Sequence, residues 1–158
     1  MKKITFLMIA FALVIAGCKE TKKTETPLPE QHEQHEDSQK SSDLTNSWTE
    51  KIALDGDKKW IANKETNRGV IAMLSLIKSD KSNTINEYKK LGAALNKEKN
   101  TIIKECTMKG LSHDNLHVFL MPLIDKIELL QSTEDLEIDN TLKVSLKKHL
   151  ELYHTYFE

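Results

Sequence analysis

From residue 60 to the C-terminus, apolar residues recur every three or four positions, and no segment there alternates with the period of two that a strand needs. Such a chain buries its apolar stripes by packing helix on helix, so an all-α domain is expected. Trp60, Asn63, Asn67, Val70, Leu74 and Ile77 define the inward face of a first helix, with Asp57 as its cap after the turn Asp55-Gly56-Asp57. Thr84 and Glu87 have the spacing of a capping box for a second helix, whose face runs through Ile85, Tyr88, Leu91 or Gly92, Leu95, Ile102 and Cys106 and stops near Gly110. Ser112 is placed to cap a third helix with Leu116, Phe119, Leu120, Leu123, Ile124, Ile127 and Leu130 on its apolar stripe. Pro122 lies inside it and removes a donor. A fourth helix, expected from about Asp139, presents Leu142, Leu146, His149, Tyr153 and Tyr156.

Four amphipathic helices with short connections stack most simply as an antiparallel up-down-up-down four-helix bundle over residues 60–158. In that order the start of the first helix, the end of the second, the start of the third and the end of the fourth share one pole. The inward polar residues fall there: Trp60, Asn63 and Asn67, then Cys106 with Met108, then His113 and His117, then His149 and Tyr153. The opposite pole is built from Leu74, Ile77, Ile85, Ile127, Leu130 and Leu142.

The residues ahead of the bundle read differently. Residues 48–59 form a short non-helical lead-in, and 18–47 are so rich in Glu, Gln, Lys, Ser and Thr that they cannot bury enough surface to fold, which makes them a disordered tether. Its His32-Glu33-Gln34-His35-Glu36-Asp37 run is read as a solvated charge tract. Residues 1–17 have the basic start and short apolar stretch of a secretory signal, too short to span a bilayer comfortably. The stretch ends in Ile15-Ala16-Gly17-Cys18, which resembles the lipobox of bacterial lipoproteins. That resemblance implies cleavage before Cys18 and acylation of its thiol, palmitate-type chains holding the protein on a membrane at about 0.8 kcal/mol per buried methylene. Lys19-Glu20 is similar to the export signals of Bacteroidota lipoproteins, which implies an outer-membrane address facing the periplasm or the cell surface.

The whole chain carries a formal charge of −1, and losing Lys2 and Lys3 with the leader makes it more acidic, so nucleic acid is not an expected partner. With Cys18 acylated, Cys106 is the one thiol left and no intramolecular disulfide can form. Cys106 then serves as a small buried hydrophobe, a soft metal ligand or a crosslink between two chains.

His113 and His117 stand four residues apart, about 40° around a helix, so both imidazoles can face one point. A third imidazole from His149 would give a three-nitrogen set open at one position, suited to zinc; sulfur from Cys106 or Met108 would tilt it toward copper. His154 is a reserve ligand, and Trp60, Asn63, Asn67 and Tyr153 would line the pocket. No nucleophile-base pair, glycine-rich phosphate loop or paired carboxylates stand out, so the expected protein is a non-catalytic envelope lipoprotein that binds copper or zinc. The alternative is a ligand-free module that holds another envelope protein.

The ending Leu150-Glu151-Leu152-Tyr153-His154-Thr155-Tyr156 resembles the last helix of the periplasmic four-helix-bundle b-type cytochromes, Asn63-Lys64-Glu65-Thr66 their first helix, and residues 117–124 their third. The resemblance implies the same bundle and makes His154 the counterpart of a haem-ligating histidine. The family's second ligand is a methionine where this chain has Lys64, so haem stands as the minor alternative.

Overall fold

The structure, a computed structural model, describes residues 44–158. The expected signal segment, the expected lipidation at Cys18, the expected tether up to residue 43 and its histidine tract lie outside the described residues. Helix α1 spans Lys64–Ser79, α2 Ile85–Glu105, α3 Leu111–Ser132 and α4 Leu136–Tyr156, preceded by a single 3-10 turn at Ser47–Glu50. Among the described residues no helix is long and apolar enough to cross a membrane.

Local chemistry sets most of the boundaries. Thr84 accepts the Glu87 N–H at 3.4 Å, and the Glu87 carboxylate accepts the Asn83 N–H at 3.0 Å, so the expected capping box forms with its return bond one residue early. Asp135 caps α4 by accepting from the N–H groups of Glu137 and Ile138, so the helix starts at Leu136, three residues ahead of the expected start at Asp139. That shift turns Asp139 inward, fully buried. Ser112 does not cap α3: its hydroxyl donates to the Lys109 carbonyl at 3.1 Å, and Gly110, at φ +62°, makes the turn into the helix.

Helix α1 starts four residues later than the periodicity predicts, and Asp57 is not its cap. Residues 60–62 are instead held extended against the C-terminus: the Trp60 N–H donates to the Tyr156 carbonyl at 2.8 Å, Glu158 donates to Trp60 at 3.0 Å and Ala62 to Glu158 at 2.8 Å. Asp57 belongs to the tight turn Asp55–Lys58, which needs the positive φ of Gly56. The helix then opens at Asn63, whose amide donates to the Glu105 carbonyl at 3.1 Å and ties the start of α1 to the end of α2.

The four helices form an antiparallel up-down-up-down bundle, each packed on its neighbours in sequence, with α4 closing onto α1. Cross-links at the poles fix the order. The Tyr153 hydroxyl donates to Asn67 at 2.8 Å near the α1 start, while Lys143 pairs with Asp80 and Tyr88 donates to Asn140 at the other end. Val70, Met73 and Ile77, Leu95 and Ile102, Phe119, Leu123 and Ile127, and Leu146, Leu150 and Tyr153 fill the interior. Met73 takes the core position expected of Leu74, which is only half-buried. At Gly69 α1 packs tightly on α2: a Cβ there would lie 2.4 Å from Ile102 Cγ1.

The folded part reaches back further than residue 48. Leu44 packs on the core, and the 3-10 turn, where a non-helical lead-in is expected, drives Trp48 between α3 and α4 until 2% of it is exposed. Its ring meets Phe119 edge-on at 5.4 Å and Tyr156 at 5.6 Å. One buried indole supplies enough apolar area to order a segment whose composition is otherwise polar.

Candidate functional site

The expected polar pole divides into a tied cluster, a buried network and a surface pair. In the cluster, Tyr153 is buried with its hydroxyl on Asn67, and burial, together with nearby Cys106, pushes its phenol above the ordinary value. Cys106 and Met108 are half-buried and pack on the core. Asn63 is committed to the Glu105 carbonyl, to the Glu65 carboxylate at 2.9 Å and to the Thr66 hydroxyl at 2.6 Å. Trp60 lies half-buried with its indole N–H on the Ala53 carbonyl at 2.6 Å. These residues do share one end of the bundle, but Tyr153, Asn67, Asn63 and the Trp60 indole are committed to hydrogen bonds within the protein.

His149 is not with them. It is fully buried in the α3–α4 seam, stacked on Trp48 at 4.7 Å. The buried Lys126 ammonium donates to Asn46 Oδ1 at 2.7 Å and faces His149 Nδ1 at 3.1 Å. An ammonium is only a donor, so Nδ1 must accept; the ring proton is then on Nε2, 2.9 Å from the Phe119 carbonyl that takes it. Asn46 completes the network by accepting the Trp48 indole N–H at 3.2 Å and donating to the Ser145 carbonyl at 3.3 Å. Desolvation first, then the Lys126 charge, push the His149 imidazole down to about 3 against the opposing pull of the Phe119 carbonyl.

The three-imidazole metal set read from the sequence is therefore corrected. His149 has both nitrogens engaged, and a cation beside Nδ1 would sit against an ammonium. Among the described residues no group of three or more His, Cys, Asp or Glu side chains could hold a metal ion. The reason is helical phase: His149 lies on the inward stripe of α4, whereas His117 is exposed and His113 half-buried on the outer side of α3. Those two do meet, with ring centroids 4.4 Å apart and planes tilted by 55°.

His154 is exposed on α4 beside the Tyr153 ring, and Lys64 is exposed at the first position of α1. Neither faces an interior that could take a porphyrin, because Tyr153, Phe119 and Phe157 stack into that space. The residues do not fit a haem.

Sequence reasoning passed over Lys126 and Asn46. Lys126 carried a signal, since it falls on the apolar stripe between Leu123 and Leu130 with no exposed face to reach for. Asn46 carried none, being one polar residue in a polar run. In comparisons with protein-family models, curated proteins and solved structures, no family, relative or structure matches this chain.

Proposed function

We propose that the chain is an envelope lipoprotein, acylated at Cys18 and held on the outer membrane, whose bundle is a non-catalytic module that takes copper or zinc on the His113–His117 pair. The observation that carries this reading is the 4.4 Å approach of two imidazoles on the accessible side of one helix. Rings one turn apart can direct a nitrogen each at a shared ion, and an ion there keeps coordination positions open to solvent or to a second donor. A filled interior supports a role at the surface. Calorimetric titration of the detergent-solubilised protein with copper and zinc is expected to give one site, lost when His113 and His117 are both changed to alanine; identical binding by the variant would remove the reading.

A second reading is a module that grips another envelope protein; the exposed apolar side chains it could use are Ile61 and Leu111 at 68% and Val144 at 69% exposure. A pull-down from solubilised membranes that retains its partner in the double-alanine variant would favour it.

A further inference from the structure

Within one chain the histidine pair is half of a metal site. A zinc ion with no catalytic task is held by four protein ligands in a tetrahedron. Among the described residues no group of three or more His, Cys, Asp or Glu side chains could hold an ion, so the bundle adds no third donor of those types to His113 and His117. The side of α3 that carries the pair also has a distinctive charge. Asp114, His117, Met121, Asp125 and Glu128 are all exposed and fall within about 80° around the helix, at about 100° per residue. The carboxylates in that arc are all of one sign, and the single lysine of the helix, Lys126, is buried. Two such faces brought together repel each other. Met121, 52% exposed, is the one large apolar side chain in the arc, far short of the roughly 1,000 Å² that a stable interface buries.

We propose that a second copy of this chain supplies the missing half: His113 and His117 of two copies surround one zinc ion, which joins them as a dimer, a step that rests on the His113–His117 reading and names its partner. A two-fold axis through the ion makes the two pairs equivalent, and four imidazole nitrogens complete the tetrahedron with no further residue. The rings of each pair already stand 4.4 Å apart, so neither bundle has to open to form its half. Zinc brings two positive charges between faces that carry only acidic ones, and so removes the repulsion that keeps the metal-free copies apart. The dimer is therefore conditional on the ion.

The test is zinc calorimetry together with sedimentation equilibrium in density-matched detergent, micelles in excess over protein. It compares the full-length protein with its His117→Ala and His113→Ala/His117→Ala variants. The parent is expected to be a monomer in chelator and, with zinc, a dimer holding one ion per two chains. His117→Ala, which removes an exposed ring and leaves the core untouched, should lose the zinc-dependent dimer, as should the double variant. X-ray absorption of the zinc form should show scattering from four imidazole rings. One ion per chain on a protein that stays monomeric, with binding lost in the double variant, would overturn the second copy while leaving the histidine pair standing. A dimer that is equally stable in chelator, or that persists without both histidines, would overturn the metal bridge. Zinc binding unaffected by loss of both histidines would overturn the pair and this inference together.

Discussion

At the scale of single residues, His149 and Asp139 pull stability in opposite directions with pH. In the unfolded chain an imidazole takes its proton near 6.5, while the folded His149 refuses it down to about 3. The unfolded state therefore binds more protons across that window, and stability is complete above 6.5 and falls as the pH drops through it, by about 5 kcal/mol at most. His149→Gln keeps a donor for the Phe119 carbonyl and an acceptor for Lys126 but cannot titrate. Urea melts between pH 7 and 4.5 should show its stability changing less with pH than that of the parent. Burial would raise Asp80, but its bonds to Lys143 and Ser82 outweigh this and hold it below the ordinary carboxylate range, so its contribution fades as the pH falls through about 3.8, below the range of those melts. Asp139 has the reverse sign. Both its carboxylate oxygens are buried with no hydrogen-bond partner, and burial raises its pKa. Its charge costs stability as the pH rises above 3.8, so Asp139→Asn is expected to melt higher at pH 7, with the advantage shrinking in acid.

Among the elements, what could be read from the sequence was what is local. Thr84 and Glu87 announced the start of α2 because a cap needs only its own turn. The start of α1 was misread because Trp60 and Ala62 obey the C-terminal residues 156–158, a partnership nearly a hundred positions away that no periodicity reports. The imidazole set failed for a related reason: spacing gave His113 and His117 a common side of α3, but not whether that side faced the core. Lys126 and His149 could not be paired before Asn46 and Trp48 were known to enter the seam. The tight α1–α2 contact at Gly69 gives a direct check. Alanine at Gly69 improves helix propensity by about 1 kcal/mol, yet its methyl would press on buried Ile102. A net loss of about 1–3 kcal/mol is expected in denaturant titration, the range for overpacked cores.

For the molecule as a whole, the pole-to-pole ties mean that α1, α2 and α4 share their ends, while the α3–α4 seam is partly made by residues 44–50. That segment is held by Trp48 and the Asn46 bonds rather than by a continuous helix, so the mechanical path into the protein runs through one indole. A pull applied ahead of Leu44 and resisted at the C-terminus would load Trp48 before any helix. Stretching single molecules in this geometry should show a small first release of roughly 25 Å of chain, at about 3.5 Å per residue over residues 44–50, ahead of the main unfolding event. Trp48→Ala should abolish that first step. Under load entering from its N-terminal side, the seam would act as a mechanical fuse that yields while the four helices stay assembled.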